Sequence, residues 1–257
     1  MPLCGGEVVL QVKSLTKFSG IEHFEIIGYY WPKAPETIQR TGNIKIIIMA
    51  AQIFPEKTEI HLVPSQGIKG PVVYAALAAG PGARERLAAR LFEALAEIAP
   101  EWGEARKWGP LTLETGPLGQ PLLTLGGKTG PGVSFSAEGG LLWAAVSGTG
   151  QVGVDAAPEA DFAPPYPYSR AFGQEEWDLA VRHCPGRPAS AAALLWAAKE
   201  AAVKALGVGF HTLDPLDLEV SSPTPAGEGV SLVVRTPKPL NAWARPLPDG
   251  WLALAVA

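Results

Sequence analysis

The run LLWAAKEAAVKALGVG, residues 194–209, constrains the fold more than any other stretch of the chain. Leu195, Ala198, Ala202, Ala205 and Leu206 recur at helical spacing and form a stripe that must be covered, so the chain has to supply a sheet or further helices to pack against it. Ser190 is expected to cap the start of this helix and Gly207 to stop it. Trp196, Glu200 and Lys204 recur every fourth residue and line up along another side, and Lys199 and Val203 also lie off the apolar stripe. Two readings are open. Either that side is solvated, with Glu200 and Lys204 forming a surface pair worth roughly 0.2–0.5 kcal/mol, or it is one wall of a site.

The cover comes from short apolar runs punctuated by Gly and Pro. EIHLV at 59–63 reads as a first strand, and GARERLAARLFEALAEI places Leu87, Leu91, Ala94, Leu95 and Ile98 at helical spacing between Gly82 and Pro100. That helix carries Arg84, Arg86 and Arg90 on its opposite face. GPLTLETGPLGQPLLTL, GVSFS, LLWAAV and QVGVD read as strands, the last two as a hairpin turning at Ser147–Gly150 and ending near Asp155. GQEEWDLAVRH is a short helix, and LDLEV, GVSLVVR and WLALAVA are strands. Without regular βαβ alternation, this order implies an α+β fold with antiparallel sheets.

Isoleucine is frequent up to Ile98 and absent after it, and the first 48 residues read differently from the rest. Residues 1–48 are either an extension outside the fold, without order of its own, or an N-terminal subdomain of biased composition; the sequence leaves both open. A boundary near Gly150 divides the remainder into segments 49–150 and 151–257. With 47% hydrophobic residues, a chain of this length can bury on the order of 70–75% of its unfolded surface.

A net charge of −4 argues against a general nucleic-acid binder, which needs a basic excess on one face. Two cysteines, Cys4 and Cys184, stand far apart and form neither a disulfide framework nor a zinc motif. IKIIIMAAQIF is shorter than the roughly 20 apolar residues a membrane span needs, and the first residues do not read as a signal peptide. A monomer in the cytoplasm, with no membrane partner, is the expectation.

GTGQVG at 148–153 matches the dinucleotide-binding pattern letter for letter, but the VDAAPEADFAPP that follows cannot start a long helix, so the pyrophosphate would lack the helix N-terminus that the motif needs. These glycines read as a turn. His23, His61, His183 and His211 lack metal-ligand spacing, and no GxSxG elbow supplies a nucleophilic serine. Asp155 is different: it ends an apolar strand, VGVD, and a carboxylate there needs a partner. If it converges with Glu200, two charges about 4 Å apart at an effective dielectric near 20 repel by roughly 4 kcal/mol. A divalent cation between them relieves that, and two carboxylates with open positions suit Mg²⁺, which keeps waters and takes its other ligands from substrate phosphates.

VGVD followed by WAAKEAAVK and GVG resembles the two signature motifs of the 4′-phosphopantetheinyl transferases, specifically the longer single-chain type that acts on carrier proteins of secondary metabolism. Trp196, Lys199, Glu200 and Lys204 fill every defined place of the family's W/F-x-x-K-E-x-x-x-K. RAFGQEEW resembles the segment between the motifs, LGQP at 118–121 is similar to the family's G-K-P, and WLALAVA to its last strand. The resemblance runs from about Glu59 to Ala257 and is stronger in the second half. It implies two similar α/β halves related by a pseudo-twofold axis, with coenzyme A and Mg²⁺ in the cleft between them. It also implies a reaction: a carrier-protein serine attacks the β-phosphate of coenzyme A, takes the phosphopantetheine arm and releases 3′,5′-ADP. Asp155 and Glu200 would hold the metal, and Glu200 could accept the serine proton. Lys199 and Lys204 would offset phosphate charge, Ser136 would contact the cofactor, and Arg84, Arg86 or Arg90 would reach the 3′-phosphate.

Two features depart from the family pattern. Ala157 stands where a second acid follows Asp155, and the family's S-H-S is replaced by Ser136, Ala137 and Glu138, which removes a phosphate-contacting histidine and adds a charge that would repel an anion. The competing readings are a non-catalytic or weakly active relative that binds coenzyme A or a carrier protein, and a structural interaction domain whose Glu and Lys are surface residues.

Overall fold

The computed structural model describes residues 10–18, 21–28, 58–210, 212–236 and 238–257. Its contacts divide the chain into one unit of Met1–Ile53 and a second of Phe54–Ala257. In the first unit β1 (Leu10–Phe18) and β2 (Ile21–Gly28) pair as an antiparallel hairpin, with a register shift between Val12 and Ser14. The rest of the 1–48 segment, and IKIIIMAAQIF at 44–54, lie outside the described residues.

The second unit is mixed α and β, with every strand pair antiparallel. Its first part runs β3 (His61–Leu62), β4 (Val72–Ala78), α1 (Ala83–Ile98), α2 (Pro100–Ala105), β5 (Leu111–Thr115), β6 (Pro121–Leu125), β7 (Lys128–Thr129), β8 (Gly132–Glu138) and β9 (Leu141–Ser147). The second part runs β10 (Val152–Pro158), α3 (Gln174–His183), α4 (Pro188–Ala205), β11 (Glu219–Val220), β12 (Thr224–Ala226), β13 (Gly229–Arg235), β14 (Leu240–Leu247) and β15 (Gly250–Val256). One sheet is ordered β3-β4-β9-β8; another runs β10-β15-β14-β13-β11 with β12 beside β13, and β5-β6-β7 form a small third sheet.

Burial explains the layering. Val73, Ala75 and Leu77 of β4 pack with Leu87, Leu91 and Leu95 of α1. The alternate residues, Val72 and Tyr74, join Val154, Leu252, Leu254 and Trp243 between the two larger sheets. The other face of β10 and β15, through Ala157, Ala253 and Ala255, packs on α4. A strand covered on both faces loses period-two alternation, which is why VVYAALA carries no amphipathic signature.

The expected hairpin between LLWAAV and QVGVD does not form. β9 already has β4 on one edge and β8 on the other, so no edge is left for β10, which crosses to the second sheet and pairs with β15 from Val152↔Val256 to Pro158↔Gly250. The free edge of β10 is instead closed by side chains: Ser134 Oγ accepts from Val154 N at 3.1 Å and Ser136 Oγ from Ala156 N at 3.4 Å. The glycines of GTGQVG lie in the connection and in β10, and only a single 3-10 turn, Glu159–Phe162, follows directly, not an α-helix.

The long helix begins at Pro188, so Ser190 is not its cap; Ser190 is buried and its Oγ accepts from Trp251 Nε1 at 3.0 Å. Gly207, at φ +69°, does end it. The helix is buried along most of its circumference, but Trp196, Glu200 and Lys204 are only half-buried. Its seating depends on Gly153, where a Cβ would stand 1.8 Å from Ala201 O and 2.7 Å from Ala205 N. Gly153→Ala is expected to push α4 off β10 and lower stability by about 1–3 kcal/mol, read as a drop in the urea midpoint at unchanged m-value. No helix of the described residues is long and apolar enough to cross a membrane.

Candidate active site

Asp155 lies mid-strand on the face of β10 that α4 covers, and the close approach at Gly153 brings the Lys204 turn of the helix against it. Asp155 Oδ1 accepts from Lys204 Nζ at 2.7 Å and from Ser136 Oγ at 2.9 Å, and Lys204 Nζ also donates to Val154 O at 3.2 Å. The Asp155 side chain is 10% exposed and that of Lys204 30%. Burial pushes the Asp155 carboxyl above the usual carboxylate range, Lys204 and Ser136 pull it down, and the charge of Glu138 pushes it up again.

Glu200 stands one turn before Lys204 and lines the same cavity of about 330 Å³, together with Ser136, Glu138, Asp161 and Trp196. Its carboxyl is also raised, first by burial and then by the neighbouring charge of Asp155, against the opposing pull of Lys204. Glu200 thus feels the charge of Asp155. Among the described residues no three His, Cys, Asp or Glu side chains form a ready-made metal cluster. Two carboxylates lining one cavity fit a hard divalent cation whose remaining ligands are water and phosphate oxygens.

A second cavity, of about 290 Å³, shares Phe135 and Lys204 with the first and is lined also by Arg84, Gln120, Gln151 and Thr212. Gln120 is the third residue of the LGQP segment. The Arg84 guanidinium lies over the Phe135 ring, 5.4 Å from its centroid. Of the three arginines of α1, Arg84 stands on the wall of this cavity. Arg86 donates to Pro81 O at 2.9 Å on the exposed side, and Arg90 donates to the Thr58 hydroxyl.

Lys199 departs from the expectation that it meets phosphate beside Lys204. Its side chain is 0% exposed and its Nζ donates to Glu176 Oε1 at 2.5 Å, Ala171 O at 2.9 Å and Pro215 O at 2.8 Å. All three donors of the ammonium are therefore taken. Glu176, 1% exposed, further accepts from Gly173 N and Val220 N, each at 2.8 Å. Burial pulls the Lys199 pKa down and Glu176 pulls it back up. The correction follows from helix geometry: Lys199 is about 100° around the helix from Glu200, enough to turn it from the cavity into the contact with α3. Glu176 could not be singled out beforehand, since GQEEW offers two adjacent glutamates and only packing separates the exposed Glu175 from the buried Glu176.

No curated protein matches the chain. The family model of the 4′-phosphopantetheinyl transferase superfamily matches residues 151–252, a span that contains Asp155, Glu200, Lys204 and the buried Lys199–Glu176 pair. Residues 151–252 therefore carry a 4′-phosphopantetheinyl transferase superfamily domain.

Proposed function

We propose that the protein is a single-chain, Mg²⁺-dependent transferase that moves the 4′-phosphopantetheine arm of coenzyme A onto a serine of an acyl or peptidyl carrier protein. It acts as a monomer in the cytoplasm, with two α/β halves related by a pseudo-twofold axis. The observation that carries this reading is the convergence of Asp155 and Glu200, from a strand and a helix far apart in the chain, on one cavity next to Lys204. The superfamily match over 151–252 supports the transfer chemistry.

Phosphoryl transfer is mainly positioning and charge neutralisation. Asp155 and Glu200 would hold Mg²⁺, which when bound neutralises diphosphate charge and polarises its oxygens. Ser136 orients Asp155 through its 2.9 Å hydrogen bond. Lys204, borne by the wall common to both cavities, would offset phosphate charge, and Arg84, on the wall of the second cavity, would meet the 3′-phosphate of coenzyme A. Glu200, whose proton affinity is raised by burial and by Asp155, accepts the serine proton directly or through a water. The serine oxygen bonds to the β-phosphorus as the bond to the bridging oxygen breaks, and 3′,5′-ADP leaves.

Incubating the full chain with coenzyme A, Mg²⁺ and an apo carrier protein is expected to add one phosphopantetheine to the carrier, seen by intact-mass spectrometry. An unchanged carrier mass after long incubation overturns the proposal. The second reading, a relative that binds without transferring, is favoured by the buried Ala157 in place of an acid; it predicts coenzyme A binding with no mass gain.

A further inference from the structure

We propose that Glu138, at the end of β8, supplies the acidic oxygen that Ala157 lacks, so that the divalent cation is held from β8, β10 and α4 together. The inference rests on the metal-dependent reading above and adds one residue to it. Ala157 is 3% exposed and belongs to the apolar contact with α4, so its position offers no donor.

The seam between β8 and β10 puts a different acid at the cavity. Along that seam every second residue of β8 reaches across: Ser134 Oγ meets Val154 N and Ser136 Oγ meets Ala156 N. The next residue in the series is Glu138, and the next position along β10 is Pro158, which has no N–H to offer. The Glu138 side chain is therefore not drawn into the seam. Its Oε1 accepts from Gly139 N at 2.9 Å, and its Oε2 has no hydrogen-bond partner among the described residues. It lines the cavity with Asp155 and Glu200. Asp161 also lines this cavity, from the turn after β10, but it is exposed, whereas Glu138 is half-buried. A residue that would repel a bare anion here becomes an asset once a cation lies between it and the diphosphate.

Mn²⁺ titrated into the full chain and followed by the loss of the free-ion electron paramagnetic resonance signal tests this without reference to turnover. Glu138→Gln is expected to weaken Mn²⁺ binding by about tenfold or more, as for loss of a metal-supporting side chain, while Asp161→Asn changes it by less than about twofold. Glu138→Asp should recover part of the loss, and circular dichroism should be unchanged in all three. Wild-type affinity in Glu138→Gln, alongside lost binding in Asp155→Asn, would overturn the role of Glu138 and leave the transferase reading intact. A wild-type chain that binds no Mn²⁺, or an Asp155→Asn variant that binds it fully, would overturn both.

Discussion

Lys199→Met is expected to lower the unfolding free energy by about 3–5 kcal/mol, the usual cost of removing one partner of a buried ion pair. The reason is what stays behind. Glu176, 1% exposed, would keep the N–H groups of Gly173 and Val220 but lose the ammonium that balances its charge. The carbonyls of Ala171 and Pro215 would lose their donor as well. Because these groups come from four places along the chain, the loss loosens the contact of α4 with α3 and with the segment leading to β11. The double variant Lys199→Met with Glu176→Gln should recover a large part of the stability, since it removes the stranded charge and keeps an acceptor for Val220 N. Urea unfolding of the three proteins measures this. A small loss of stability in Lys199→Met together with a large loss of coenzyme A affinity would return Lys199 to the phosphate-binding role that the motif alone suggests.

Asp155→Asn and Glu200→Gln are expected to act in the opposite way, reducing transfer by about 10²–10³-fold or more, as removal of preorganised charge commonly does, without weakening the fold. Both carboxyls have folded-state pKa values above their ordinary ones, mainly through burial. A raised acid pKa means that ionisation costs stability: the penalty is absent below the unfolded pKa, near 4 for these groups, and grows as pH rises through the folded value. The neutral amides escape it. Each variant should therefore melt at or above the wild-type temperature at neutral pH, and the difference should vanish as the pH falls below about 4. Lys204, freed in Asp155→Asn, is 30% exposed and can turn to water. Melting curves at several pH values, paired with the carrier-mass assay, read both effects. A fall in melting temperature at neutral pH would mean that the two acids are structural, and full activity in either variant would remove it from the site.

How much of this was legible beforehand differs by element. α1 and α4 were clear because a 3.6-residue period survives any tertiary context, and the last strand because WLALAVA is bounded by turns. β4 and β14 were not picked out. β4 is apolar on both faces because a sheet needs cover on both sides there, and β14 carries Asn241 before, and Arg245 and Pro246 after, the buried run Ala242, Trp243 and Ala244. The hairpin expected between LLWAAV and QVGVD failed for a related reason, since adjacency in the chain says nothing about which strand edges are already filled.

At the site itself, the sequence alone determined that two acids and two lysines recur in a fixed pattern, and that a helix presents Trp196, Glu200 and Lys204 on one side. Local periodicity is enough for that, because residues four apart on a helix must share a side. Which of the two lysines faces the cavity was decided only by tertiary packing. One residue's rotation about the helix carries Lys199 from the open side into contact with a buried glutamate of α3, and no pattern in the sequence records where that neighbour lies. The same holds for Glu138: its place beside Asp155 comes from the serine seam between two strands that share no backbone ladder, a relation that exists only once both sheets have formed.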